Sequence, residues 1–187
     1  MGHIIEPKTE RLRLRQWQES DFEPFAVMSS DSEVMRFFPQ TLNRSESDAI
    51  ARFCQSLIAA RGWGVWAVEL KNTREFIGMV GLHIQESGCP GSPCVEILWR
   101  LARPYWGHGY ASEAAAAALR VGFEQLDLQE IVSFAVPANG RSRAVMERLS
   151  MTCTGETFLH PEVPENSNLR EHCVYRISRE AWLKTLP

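Results

Sequence analysis

Glu96-Ile97-Leu98-Trp99-Arg100-Leu101-Ala102-Arg103-Pro104-Tyr105-Trp106-Gly107-His108-Gly109-Tyr110-Ala111-Ser112-Glu113 runs straight into the alanine block Ala114 to Ala118. The β-formers Ile97, Leu98 and Trp99 come first, then Pro104 and two glycines, then the residues of highest helix propensity in the chain. The order predicts strand, turn, helix, with Gly107 and Gly109 at the mouth of the helix. Backbone N–H groups are unpaired there and the helix dipole is positive. Glycine removes the Cβ that would hold an anion away. The expected product is a seat for a phosphate or pyrophosphate. A tight turn without a ligand would use the same two glycines.

Two common phosphate loops are excluded by the residues after Gly109. A P-loop needs Gly-Lys-Ser/Thr at the helix start, but Gly109 is succeeded by Tyr110 and Ala111. A dinucleotide fingerprint needs a third glycine where Ser112 stands. The segment resembles instead the acyl-CoA-binding motif of the GCN5-related N-acetyltransferase (GNAT) superfamily, Gln/Arg-x-x-Gly-x-Gly/Ala. Gly109-Tyr110-Ala111 matches its second half. Trp106 stands in place of Gln or Arg, as is common in the ribosomal-protein-alanine acetyltransferase (RimJ/RimL-type) branch, which this chain resembles most. The opening T-E-R-L-R-L-R at Thr9 and M-R-F-F-P at Met35 extend the similarity to nearly the whole chain.

A second motif supports it. Asn139-Gly140-Arg141-Ser142-Arg143-Ala144-Val145-Met146, continuing to Met151, resembles the family pattern Asn-x-x-Ser/Ala-x-x-x-Tyr/Met. Asn139 has an amide that can bond pantetheine, and it is equally a helix N-cap. Ser150 replaces the usual glycine after that helix. The tyrosine that protonates the leaving thiolate in many relatives is replaced by Met146, which leaves Ser142 as the candidate donor or water-holder.

Composition sets the bounds. A chain of 187 residues, 44% hydrophobic and 23% charged, suits one globular domain spanning 1–187. A net charge of −3 disfavours a nucleic-acid platform. No apolar run is long enough for a membrane span, and the polar Met1-Gly2-His3 opens no signal peptide. Five cysteines at irregular spacing suit reduced thiols in the cytoplasm, with no metal spacing among them.

In chain order, Thr9–Trp17 alternates as a half-buried strand with its arginines in solvent. Ser20-x-x-Glu23 and Ser45-x-x-Asp48 read as capping boxes for two helices, the second ended by Gly62. Strands come next at 64–70, 76–84 and 94–101. A helix runs to about Gln125, then come a strand at 130–136, a helix from Asn139 to Leu149, and a last strand pair at 152–159 and 173–177. This order predicts a mixed α/β sheet. The resemblance implies the GNAT fold: a mostly antiparallel central sheet, flanked by helices, whose middle strands splay to admit the cofactor.

It also implies the chemistry. An amine attacks the thioester of acetyl-CoA directly, in a ternary complex and without a metal. The implied cofactor contacts are Leu98, Trp99, Arg100 and Leu101 through the strand, then Trp106, Gly107, His108, Gly109, Tyr110 and Ala111 through the turn. Asn139, Ser142 and Met146 complete them. A strand N–H near Leu98 to Arg100 would receive the oxyanion. Base candidates are Glu96, His160 and Glu162, with Glu96 and His160 foremost. Phe37, Phe38, Trp63 and Trp99 are expected to wall the acceptor, with Glu33, Glu162, Glu165 or Glu171 favouring a cation. The acceptor would be a small-molecule amine or a protein N-terminus, and the protein a monomer or homodimer. The competing reading is a non-catalytic acyl-CoA sensor or partner-binding module.

Overall fold

The computed structural model describes residues 3–186, so Met1, Gly2 and Pro187 lie outside the described residues. The strands are β1 (Leu12–Arg15), β2 (Val65–Leu70), β3 (Phe76–Gln85), β4 (Cys94–Leu101), β5 (Glu130–Ala135), β6 (Thr152–Leu159) and β7 (Glu171–Ser178). The helices are α1 (Glu19–Ser30), α2 (Arg44–Arg61), α3 (Tyr110–Arg120), α4 (Gly140–Arg148) and α5 (Arg179–Leu183). All seven strands form one sheet in the order β1-β2-β3-β4-β5-β7-β6. Every neighbouring pair is antiparallel except β4 with β5.

That exception shapes the site. β3 and β4 pair over their whole length, from Gly78↔Leu101 to Gln85↔Cys94. β4 and β5 meet only at Glu96↔Val132 and part beyond it. Both faces of the sheet are covered. The small side chains of Ala114, Ala115 and Ala118 let α3 press onto one face with Ile97, Leu82 and Ile131. Helices α1 and α2 cover the other, where Phe53 lies 6.4 Å from the His83 ring.

Local signals explain most boundaries. Gly62 stops α2 in the left-handed conformation. Ser150, after α4, also takes positive φ, 61°. Both N-terminal capping boxes sit two residues earlier than the spacing suggested. Gln18 with Asp21 opens α1, and Asn43 with Glu46 opens α2. Asparagine at Asn43 accepts from the Glu46 N–H at 3.0 Å, so the helix starts before Ser45 can cap it.

The arginines of β1 are not all in solvent. Arg15 is buried, with Nη1 and Nη2 on Asp21 at 2.7 and 2.8 Å and Nε on Glu69 at 2.6 Å. Alternation correctly separates it from Leu12 and Leu14. The face it points to, however, is roofed by α1, which supplies Asp21. Burial alone would lower its pKa, but the two carboxylates outweigh burial and raise it.

Candidate active site

The glycine turn leaves the mouth of α3 open. Gly107 and Gly109 both have φ of 80°, a conformation that disfavours any side chain. A Cβ on Gly107 would meet nothing within 4 Å, and one on Gly109 would meet only Arg11 Nη2 at 3.6 Å. The space in front of the turn is therefore open. Helix α3 starts at Gly109 with no side chain capping its first N–H groups. The Trp106 indole donates to Leu101 O at 2.8 Å and fixes where the turn leaves β4.

Two arginines outside the glycine motif flank this turn. Arg11 lies 4.5 Å above the Tyr110 ring and is held by Glu113 through Nε at 2.7 Å. Burial would raise the Glu113 pKa, but hydrogen bonds from Thr9 and Arg11 bring it below its usual value. Arg141 reaches from α4 to stack 4.5 Å over Trp106. His108 stacks on Tyr110 at 5.5 Å and faces solvent. Arg141 of α4 and Arg11, just before β1, thus lie beside the turn, Arg11 already paired with Glu113 of α3. Strand alternation in Thr9–Trp17 gave no sign of Arg11, because the contact spans a hundred residues.

The gap between β4 and β5 has a definite backbone register. Ser133 Oγ donates to Ile97 O at 2.9 Å, so the polar backbone groups of Ile97 face β5. By alternation those of Trp99 and Leu101 also face the gap, and Leu101 O is already taken by Trp106. Leu98 and Arg100 turn their backbone toward β3. Of the four strand residues expected beside a cofactor, Trp99 is therefore the one with a free N–H and C=O to offer. Asn139 caps α4 through its side-chain oxygen, which accepts from Ser142 N at 3.2 Å. Its Nδ2 makes no hydrogen bond among the described residues. Ser142 is half-buried at the same helix start, whereas Met146 is wholly buried in the core and offers no surface to a ligand.

Glu96 stands where β4 and β5 last touch. Its carboxylate accepts from Gln85 Nε2 at 2.7 Å. Burial is the main influence on it, opposed by the Gln85 bond and assisted by Glu162, and its pKa is pushed up to about 7. His160 is placed differently. It packs 4.8 Å from His172 and 5.8 Å from Phe158, and its Nδ1 accepts from Glu162 N at 3.3 Å. Burial and then His172 lower its pKa. In the neutral imidazole the Nδ1 lone pair is thus engaged by the Glu162 N–H.

Two open cavities lie on the α1/α2 face. One, of ≈ 380 Å³, is lined by Met35, Phe38, Leu42, Ile50, Arg100 and Glu162 among others. The second, of ≈ 370 Å³, runs past His83 and Gln85 and shares Glu162 with the first. Phe38 is thus brought to a cavity and Phe37 is not; Arg36 lies 5.7 Å from the Phe37 ring. Trp63 is occupied by Arg61, 4.0 Å above its ring, and lines neither space. Trp99 alternates with Arg100 and so faces the α3 side, away from both cavities.

This combination of an uncapped glycine turn, a parted strand pair and a second cleft behind it matches a family. Residues 11–152 match the acetyltransferase (GNAT) domain. The chain belongs to the GNAT acetyltransferase family. Its members transfer an acetyl group from acetyl-CoA, and they share this seven-stranded fold. An Aspergillus fumigatus relative, FsC-acetyl coenzyme A-N(2)-transacetylase, is 34% identical over 84% of this chain and 69% of its own. A GNAT acetyltransferase structure from Bacillus anthracis is 27% identical, with a TM-score of 0.78 over 94% of this chain and 99% of that one. RimJ of Mycobacterium smegmatis, in complex with CoA-disulfide, is similar in fold alone: TM-score 0.72 at 20% identity, covering 90% of this chain and 82% of that one. Among the described residues no group of three or more His, Cys, Asp or Glu could hold a metal, and no helix is long and apolar enough to cross a membrane.

Proposed function

We propose that this enzyme moves the acetyl group of acetyl-CoA to a primary amine, with both substrates bound together and Glu96 as the general base. The observation that carries the reading is the Glu96 carboxylate, raised to about 7 at the point where β4 and β5 separate. A base with a pKa near the working pH combines a useful ionised fraction with real basicity.

The remaining residues divide the work. Backbone N–H groups at Gly109 to Ala111, with Arg11 and Arg141 beside them, hold the pyrophosphate. Asn139 Nδ2 and the Trp99 backbone hold the pantetheine arm. Trp99 N–H faces the charge that builds on the thioester oxygen. Glu96 takes a proton from the amine through a water. The new N–C bond forms, the C–S bond breaks, and Ser142 relays a solvent proton to the departing sulfur, so that CoA leaves as a thiol and the serine keeps its hydroxyl. Much of the rate comes from holding amine and thioester together.

The acceptor is a small-molecule amine or a protein N-terminus. The fungal relative's name, which pairs acetyl coenzyme A with an N(2) nitrogen, supports an amine acceptor. Sequence similarity to the RimJ/RimL-type branch keeps a protein N-terminus in view. The five unpaired cysteines fit a reducing compartment, and we place the enzyme in the cytoplasm.

One observation favours a second reading, an acyl-CoA sensor: Met146 fills the place of the thiolate-protonating tyrosine and is sealed in the core. The discriminating experiment is release of CoA thiol from acetyl-CoA across an amine library, with N-acetyl product identified by mass. Product with any amine supports transfer. Stabilisation by acetyl-CoA without product from any amine supports the sensor.

A further inference from the structure

Arg100 lines the ≈ 380 Å³ cavity and is paired with no carboxylate among the described residues. Arg100 Nε and Nη1 are sealed from water and have no hydrogen-bond partner. The third nitrogen, Nη2, is neither sealed nor bonded among the described residues, so it is the one that meets the open space. Phe38 lies 4.2 Å over the guanidinium and shields its other side. Burial pulls the Arg100 pKa down to about 10, and the only charge opposing that is Cys54. Cys54 is no counter-ion at neutral pH, because burial pushes its own pKa up to about 11. A desolvated, unpaired guanidinium is expensive to keep in a fold. Its natural partner is a carboxylate, which arginine grips through charge-assisted hydrogen bonds.

The position of this cation relative to the reaction is fixed by the strand. Glu96, Leu98 and Arg100 share one face of β4, with the parting of β4 and β5 beginning just past Glu96. Glu162 lines the same cavity as Arg100 and also the neighbouring one that runs past Gln85. A molecule in the Arg100 cavity therefore meets a cation and, on the same wall, the carboxylate of Glu162, which is near enough to Glu96 to help raise its pKa. A cavity of this size suits a small molecule.

We infer that the acceptor is a small amino acid, a molecule that carries its own carboxylate. The carboxylate is seated on Arg100, and the amine points toward Glu162 in the same cavity. The inference rests on the acetyl-transfer reading and narrows it. It disfavours polyamines and other purely cationic amines, which Arg100 would repel.

The test uses matched pairs: the free amino acids and their amides, which differ only in the carboxylate. Binding is read as the rise in melting temperature in the presence of CoA, and turnover as N-acetyl product by mass. The expected result is at least one amino acid that stabilises the protein more than its amide does. Its kcat/KM exceeds the amide's by about tenfold or more, the scale of a hydrogen bond to a charged group. In Arg100→Met that ratio falls to about one, and in Arg100→Lys, which keeps the charge without the fork, it is intermediate. The ratio is taken within each protein, so a general loss of rate does not disturb it. Stabilisation by no amino acid, equal treatment of acids and amides, or an unchanged ratio in Arg100→Met would each overturn the inference. Acid binding without product would leave the seat in place and remove the transfer reading. Acetylation of neutral amines without acid preference would do the reverse.

Discussion

Gln85 donates its side-chain amide to the Glu96 carboxylate at 2.7 Å across the β3–β4 ladder, and that carboxylate is otherwise buried. The bond holds the group but does not compensate its burial. Its pKa moves from 4.5 to about 7. Between those values the native state binds more protons at this site than the unfolded chain does. Stability contributed by Glu96 is therefore lost as pH rises through that window. Glu96→Gln is expected to be more stable than the wild type at about pH 8, by up to about 3 kcal/mol at ~1.4 kcal/mol per unit. Towards the lower edge of the window the two should converge. Urea unfolding at several pH values measures this.

Arg15 behaves in the opposite way, because it has partners. Its guanidinium is the common counter-ion of Asp21 and Glu69, both buried. Arg15→Ala leaves two carboxylates without it, and a loss of about 3–5 kcal/mol is expected. The check is the denaturant midpoint, with an unchanged slope.

Gly107 and Gly109 separate backbone strain from ligand access. Each adopts φ of 80°, and neither has a neighbour closer than 3.6 Å to an added Cβ. Alanine at either site should cost only about 1–2 kcal/mol of stability, from the left-handed backbone. Affinity for CoA should fall by about tenfold or more, because the Cβ enters the space where the phosphates sit. Thermal unfolding and CoA titration of the same two variants test both parts.

Asn139 combines a cap and a free amide, and the two can be separated. Its Oδ1 accepts from Ser142 N, while Nδ2 is unused. Asn139→Asp keeps the acceptor and should leave stability within about 0.5 kcal/mol. It should weaken CoA, since the donor to pantetheine is gone. Asn139→Ala loses the cap as well and should cost about 1 kcal/mol. Melting temperature and CoA affinity, read together, distinguish these outcomes.

Much of this was legible in the chain because it is local. The β4 strand runs from Cys94 to Leu101 as its apolar pattern indicated, and Gly62 stops α2 as expected. The glycine turn announced itself through Gly107 and Gly109. What was not legible depends on the layer above the sheet. Alternation places Arg15 opposite Leu14, yet only the roof of α1 makes that position buried. The same limit applies to β4. The period of two separates Trp99 from Arg100, but which face carries the two cavities depends on where α1 and α2 pack. Arg100 therefore read as a backbone position, although its side chain is the cavity's cation. Glu96 and His160 are both base candidates by residue type, and their different burial and hydrogen bonding come only from the fold.

The most direct test of Glu96 as the base is acetyl transfer by Glu96→Gln compared with the wild type, using thiol release from acetyl-CoA with an accepted amine across pH. In the wild type, kcat/KM should rise with pH through about 7, as the carboxylate ionises. The variant should bind acetyl-CoA normally, yet lose about 10²–10⁴-fold in rate and lose that limb of the profile. A variant with wild-type rate and the same profile would contradict this role, and the base would have to be sought elsewhere.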